Sequence, residues 1–254
     1  MTVSKPCSLK LISINIEMWK HLDLVIPFVV REAPDVVCIQ ELLEDDIPKF
    51  EKAFSGSIHF APMEKFLTPN GLQVTGVGLL SRLASRDASR AYYIGAEGRI
   101  IEYDMTSEQT RHETESCSVV FSTFDKDDAS FKIGTTHFTW SEDGQPSDFQ
   151  RTNMRKLLAI LETSEEFVLT GDFNAPRGLP GQGGEIFSML ADKYKDNVPA
   201  HYTTSIDGNL HRARQLNLMV DGLFSTPGYE VSNVQMVSGL SDHCALVARV
   251  SRDN

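Results

Sequence analysis

The chain carries few of the marks of export, of membranes or of long nucleic acid. Its four cysteines, Cys7, Cys38, Cys117 and Cys244, lie far apart with no C-x-x-C spacing. That excludes the usual zinc and thioredoxin-like motifs and fits reduced, cytoplasmic thiols. Cys38 and Cys244 fall in apolar runs, where a small buried hydrophobe belongs. No hydrophobic stretch approaches a membrane span, and the opening Met1-Thr2-Val3-Ser4-Lys5-Pro6 lacks the apolar core of a secretory signal, so a cytoplasmic protein is expected. Positive charge is scarce as well: 24 Lys and Arg against 35 Asp and Glu leave a net charge of −11. Broad attraction to a polyanion needs many phosphates neutralised, so this balance argues against duplex tracking and leaves room only for a local basic contact.

Nucleotide and acyl-transfer motifs are missing too. Gly76-Val77-Gly78 lacks the third glycine of a dinucleotide fingerprint and leads into a strand rather than a helix. The glycine-rich segment 178–184 has no Lys followed by Ser or Thr, and no G-x-S-x-G elbow occurs anywhere.

What is present is an ordinary globular composition, 41% hydrophobic and 23% charged over 254 residues, enough for one domain spanning 1–254 around one substantial core. Leu22, Val25, Ile26, Val29 and Val30 recur at helical spacing with Asp23 as N-cap, although Pro27 sits awkwardly near the first turn. Residues 42–54 read as a second helix, led by Glu44, Asp45 and Asp46. Strands are expected at 77–80, 99–103, 117–121 and 131–136. Ser147-Asp148-Phe149-Gln150 has the form of a capping box opening a helix with Met154, Leu157, Leu158 and Leu161 on one face. The glycine and proline of 176–184 predict a mobile loop. Strands fall in two groups, 9–136 and 166–250. Each group is long enough for its own sheet, and two sheets face to face with helices outside would bury both apolar faces.

Polar side chains stand at the ends of the strand-like runs. Asn15 closes Leu9-Lys10-Leu11-Ile12-Ser13-Ile14, and Gln40-Glu41 closes Val36-Val37-Cys38-Ile39. His137 ends the run from Phe131, Gly171-Asp172-Phe173-Asn174 follows Phe167-Val168-Leu169-Thr170, and Asp221 follows Leu218-Met219-Val220. Ser241-Asp242-His243 opens the apolar Cys244-Ala245-Leu246-Val247-Ala248-Arg249-Val250. Any one of these could be an ordinary solvated turn. Together they assemble hard oxygen donors, Glu41 and Asp172, of the kind that suits Mg²⁺ or Mn²⁺ beside a phosphate. His243 with Asp221 fits an imidazole held by a carboxylate, His137 stands at a strand end near Trp140, and Asn15 and Asn174 supply neutral amides.

The ordered set Ser13-x-Asn15, Gln40-Glu41, Thr136-His137, Gly171-Asp172-x-Asn174, Asp221 and Ser241-Asp242-His243 resembles the endonuclease/exonuclease/phosphatase (DNase I-like) superfamily over nearly the whole chain. The resemblance implies an α+β, four-layered αββα sandwich of two mostly antiparallel sheets with outer helices, and hydrolysis of phosphoesters with Mg²⁺ or Mn²⁺. It implies Glu41 as principal metal ligand, with Asn15 and Asp242 near the metal or its waters. Asp172 would orient or deprotonate the attacking water, Asn174 would hold that water or the phosphate, His137 would meet the phosphate oxygens or leaving group, and His243 with Asp221 would stabilise the pentavalent phosphorus.

Where the abasic-site endonucleases usually carry tyrosine this chain has His137. The sphingomyelinase H-x-Q pattern, the inositol-phosphatase tryptophan before G-D-x-N and leucine-rich repeats are all absent, and Tyr202-Thr203-Thr204 is only faintly similar to a tyrosyl-DNA phosphodiesterase segment. The expected substrate is a phosphodiester, such as a DNA or RNA end or a short diester. Trp140, and less so Trp19, offers a stacking face. Arg151, Arg155 and Lys156 on a helix, with Arg177, His211, Arg212 and Arg214 in loops, are the nearest cations. A phosphatase or phosphodiesterase on a small molecule or lipid headgroup, and a non-catalytic binding protein on the same fold, are the alternatives. A monomer with no membrane span is expected.

Overall fold

A computed structural model describes residues 7–178 and 184–252. In chain order the elements are β1 (Ser8–Asn15), α1 (Leu22–Glu32), β2 (Val36–Leu43), α2 (Ile47–Phe54), β3 (Ser57–Thr68), β4 (Gly71–Ser81) and β5 (Ser85–Ile94). Then come α3 (Glu108–Thr114), β6 (Cys117–Lys126), β7 (Ala129–His137), α4 (Asp148–Glu162), β8 (Val168–Asp172), α5 (Glu185–Ala191), β9 (Lys195–Asp196), β10 (Asp221–Ser225), β11 (Tyr229–Val237) and β12 (Ala245–Arg252). Two six-stranded sheets result, ordered β11-β12-β1-β2-β4-β3 and β5-β6-β7-β8-β10-β9. Pairing is antiparallel except for β1 with β2 and β7 with β8.

The central strands are apolar on both faces because both faces are covered. Along β1, Leu9 and Leu11 join the cluster between the sheets, while Ile12 and Ile14 join the one under α1 and α2 with Phe28, Phe50 and Phe54. The second sheet is backed by Met154, Leu157 and Leu161 of α4 and Phe187 and Leu190 of α5. Each fully buried phenylalanine contributes roughly 1.5–3 kcal/mol. The layers are therefore helix, sheet, sheet, helix.

Several expectations are corrected. The sheets do not divide the chain into 9–136 and 166–250: β12 crosses back to flank β1 with β11 on its outer side, and β5–β7 lie in the second sheet with β8. Residues 99–103 form no strand, only a single bridge of Glu102 to Lys65. Helix α1 begins at Leu22 with no side-chain cap, leaving Asp23 in the first turn and Pro27 inside the helix, where burial of Val25, Phe28 and Val29 offsets the missing backbone bond. Of 42–54, the start continues β2 and only Ile47–Phe54 is α-helical. Ser147 does cap α4 by accepting from the Gln150 N–H, but the Gln150 side chain turns inward, so the reciprocal box is not made there. The reciprocal box belongs to Ser107 and Thr110 at α3. Of the loop expected to be mobile at 176–184, residues 179–183 lie outside the described residues.

Candidate active site

Strand direction gathers the polar groups at one edge of the sandwich. β1 and β2 run parallel with Asn15 opposite Gln40, so both deliver their C-terminal residues to the same side. β12 is antiparallel to β1, which brings the turn that precedes it, with Asp242 and His243, to that side as well. In the second sheet His137 pairs with Asp172 across parallel β7 and β8. Antiparallel β10 begins with Asp221 opposite Asp172. Asp221 thus opens a strand rather than closing one at 218–220, because pairing with β8 starts at Asp172 itself.

Two backbone distortions aim side chains here. The register of β2 against β4 slips between Ile39 and Leu42, and Glu41 sits in this bulge with φ of 54°. Bulges re-aim side chains, and a non-glycine residue in the left-handed region costs about 1–3 kcal/mol, a strain that concentrates at functional sites. Strict alternation would turn Leu42 inward, yet it packs outward with Ile39, leaving Glu41 to face the cleft. Asn174 also has positive φ, 47°, in an Asx turn where its own N–H donates to Asp172 Oδ1 at 2.8 Å.

Gly171 is required by close approach. A Cβ there would lie 2.0 Å from the Thr136 carbonyl oxygen on β7. Gly171→Ala is therefore expected to destabilise the fold by about 3 kcal/mol through forced separation of β7 and β8, read as a lowered urea midpoint. An unchanged midpoint contradicts this placement.

The side chains form a connected network. Asn15 Nδ2 donates to Glu41 Oε1 and Asp172 Oδ2, each at 3.0 Å. Asp172, almost wholly buried, also has Oδ2 at 3.5 Å from His137 Nε2 and 3.6 Å from His243 Nε2. His243 Nδ1 meets Asp221 Oδ2 at 2.8 Å. Asn174 Nδ2 lies 2.9 Å from His137 Nε2 and donates to the Phe138 carbonyl at 2.8 Å. Asp242 lines the same cleft, with Ser241 Oγ donating to it at 3.1 Å. Trp140 stands on the cleft wall, 36% exposed, with the Arg111 guanidinium 4.9 Å over its ring.

Charge in this network is unbalanced. Burial pushes the Glu41 carboxyl up; nearby His137 and the Asn15 hydrogen bond ease its charge, and Asp242 adds to the strain. Burial opposes charging His243, but the carboxylates of Asp221 and Asp172 outweigh it and hold the imidazole well above its ordinary value. Burial likewise raises Asp221, against the pull of His243. Among the described residues no lysine or arginine pairs with Glu41, Asp172 or Asp242. Asp172, Asp221 and His243 offer ligand atoms within 4.8 Å of one another, the donor types a divalent cation takes. Two of these residues are already joined, His243 Nδ1 to Asp221 Oδ2.

Of the expected cations, Arg151 is tied to Asp148 and Glu185, and Arg177 to Asp196. His211 and Arg212 do line the cleft, which encloses about 450 Å³.

Supporting contacts that the sequence reading did not assign lie around the network. Gln40 Nε2 donates to Thr135 Oγ1 at 2.7 Å and Ser13 Oγ at 3.3 Å, a polar bridge between the two sheets beneath the site. Ser205 Oγ accepts the N–H groups of Val220 and Asp221 at 3.0 and 3.1 Å, fixing the start of β10. Gln150 Nε2 donates to the carbonyls of Thr139 and Asn174, at 2.8 and 3.3 Å, clamping the loops that carry Trp140 and Asn174. Nothing in residue type or spacing marks Ser205, and the helix-capping pattern drew Gln150 to another role.

Residues 12–243 match the Endonuclease/Exonuclease/phosphatase family, and the chain belongs to it. The sandwich is the DNase I-like fold of that family. An endonuclease/exonuclease/phosphatase from Beutenbergia cavernae shares 16% identity with a TM-score of 0.73, covering 98% of this chain and 72% of that one. TDP2 of D. rerio, solved with a single-stranded DNA product, aligns at 14% identity and TM-score 0.66 over 96% and 99% of the two chains. A mannosyl-6-phosphatase of Bacteroides thetaiotaomicron aligns at 12% identity and TM-score 0.62 over 95% and 99%. No curated protein sequence matches the chain. The family hydrolyses phosphoesters, and no helix among the described residues is long and apolar enough to cross a membrane.

Proposed function

We propose that this protein is a divalent-metal-dependent phosphoester hydrolase, using Mg²⁺ or Mn²⁺ on a short phosphodiester such as a nucleic-acid end. The observation that carries the proposal is the convergence of Asn15, Glu41, His137, Asp172, Asn174, Asp221, Asp242 and His243 at one edge of the sandwich, with an excess of acid and, among the described residues, no lysine or arginine ion-paired to Glu41, Asp172 or Asp242. That donor set fits a hard dication. Glu41, with Asn15 and Asp242, would hold it, and when bound it supplies Lewis-acid polarisation of a phosphoryl oxygen. Asp172, fixed by the Asn15 amide and the Asn174 N–H, is oriented to take a proton from an attacking water. His243, kept charged by Asp221 and Asp172, donates to a phosphoryl oxygen as negative charge grows there. Asn174 and His137, 2.9 Å apart, present adjacent polar groups to the phosphate or leaving group.

One neighbour holds a single-stranded DNA product and another is a mannosyl-6-phosphatase, so the fold serves both nucleic-acid and sugar-phosphate substrates. The engagement of Arg151 and Arg177 in ion pairs favours a short contact over a tracked duplex. Binding of DNA to the Asp172→Asn protein should therefore weaken with salt at a log–log slope shallower than about −3, as expected for two or three phosphates. A slope near −6 or steeper on long duplex contradicts the short-contact reading.

A further inference from the structure

Beside the strand-end network the cleft runs into a part of the molecule that phosphoester chemistry does not use. Glu64 on β3 and Glu115, just before β6, both line it, and both are buried, 6% and 5% exposed. Glu64 Oε2 accepts the Ser116 N–H at 3.0 Å, and Cys117 Sγ lies 3.5 Å from Glu115 Oε1. Among the described residues Glu115 Oε2 has no hydrogen-bond partner, and neither have two hydroxyls of the same cleft, Thr75 Oγ1 and Ser141 Oγ, in residues that are 4% and 7% exposed. Buried polar atoms left without a partner cost about 1–3 kcal/mol each, and so many along one cleft call for a reason. Phe66, Tyr103 and Trp140 line the same space with aromatic surface.

We propose that this arm of the cleft is a subsite for a neutral, hydroxyl-rich alcohol, a sugar or polyol, esterified to the phosphate that the strand-end network holds. The inference rests on the phosphoester reading and names the alcohol half of the substrate. A ligand filling the cleft lies against Thr75, Glu115 and Ser141, and its hydroxyls match them, since each sugar hydroxyl both donates and accepts. The C–H face of a sugar ring packs on an aromatic wall. Burial, followed by repulsion from Glu115, pushes Glu64 well above the usual carboxylate range, with Glu41 adding to it; burial likewise brings Glu115 to about 7 despite easing by Cys117, Thr139 and Arg111. Both carboxyls therefore take up a proton more readily than a solvated glutamate does, and a protonated carboxyl donates as well as accepts. A cationic group such as a quaternary ammonium is the weaker match: it neither donates nor accepts, leaving Thr75, Ser141 and Glu115 Oε2 unpaired, and Arg111, close enough to ease the Glu115 charge and seated over Trp140, repels it. A second phosphate, whose oxygens accept, leaves Glu115 Oε2 without a donor.

The test uses three p-nitrophenyl phosphodiesters with one leaving group and one phosphate, whose second alcohol is glucose joined through its 6-oxygen, n-hexanol or choline. With Mg²⁺ the glucosyl ester should be cleaved with kcat/KM at least about tenfold above both others. Thr75→Val, Ser141→Ala and Glu115→Gln should each narrow that preference severalfold while leaving the hexyl ester within about twofold. Equal use of the hexyl ester, preference for the choline ester, or variants that keep the full glucosyl preference overturn the subsite. If no ester is cleaved, the phosphoester reading fails, and the subsite is judged separately by Trp140 fluorescence in a Trp19→Phe background. Saturable quenching by glucose 6-phosphate but not butyl phosphate, lost in Ser141→Ala, upholds it; absence of quenching overturns it.

Discussion

Removal of divalent cations by a chelator is expected to abolish hydrolysis, and Mg²⁺ or Mn²⁺ should restore it. The reason is electrostatic. Glu41 is held at a strained bulge, enclosed enough for burial to raise its pKa, with Asp242 nearby and, among the described residues, only the Asn15 amide as hydrogen-bond partner. A site of that composition is short of positive charge, and bringing an anionic phosphate into it adds to the deficit. Glu41→Gln removes the anionic ligand while keeping the size and the amide contact, so its metal titration should shift to concentrations at least about tenfold higher. His243→Ala, by contrast, should leave metal affinity within a few-fold and act on kcat. Superimposable metal titrations for wild type and Glu41→Gln contradict the ligand assignment, and full activity in chelator contradicts metal dependence itself.

His243→Ala is expected to lower kcat by roughly 10²–10⁴. Asp221 acts through it: the 2.8 Å contact between Asp221 Oδ2 and His243 Nδ1 sets the ring orientation and leaves Nε2 directed toward Asp172 and the cleft. The carboxylate also keeps the imidazole charged. Groups that work as one unit are strongly non-additive when removed together. The Asp221→Ala, His243→Ala double variant should therefore be no more than a few-fold worse than His243→Ala alone, whereas multiplied losses mean that the two residues act independently. Since Asp221 opens β10 and is held by Ser205, a thermal melt of each variant separates lost chemistry from lost folding.

The strands legible in the sequence are interior ones. β1, β2, β4, β6, β7, β8 and β12 read as apolar runs because neighbours cover them on both sides. All four edge strands, β3, β5, β9 and β11, escaped notice. β5 and β11 are largely solvent-facing and carry Arg, Asp, Ser, Glu and Asn where an interior strand carries Val and Ile, so no apolar period announces them. The sheet partition failed for a related reason: hydrophobic pattern says which residues are buried, not which sheet covers them, and β12 pairs with β1 although some 230 residues of chain separate them. Among site residues, those at strand ends stood out because a polar side chain directly follows an apolar run. Glu64 and Glu115 gave no such signal: Glu64 sits beside Lys65 within β3 and Glu115 in a polar stretch, neither at the end of an apolar run, and they become unusual only when the fold closes over both.

Hydrolysis of bis-p-nitrophenyl phosphate by wild type and Asp172→Asn, side by side in Mg²⁺ and with folding matched by thermal melt, tests the convergence of the strand ends most directly. Asp172 is the residue that Asn15, Asn174, His137 and His243 all approach. Steady turnover by wild type and a loss on the order of 10³ in the variant are predicted. Equal rates in the two proteins, or no turnover by well-folded wild type, would contradict the account.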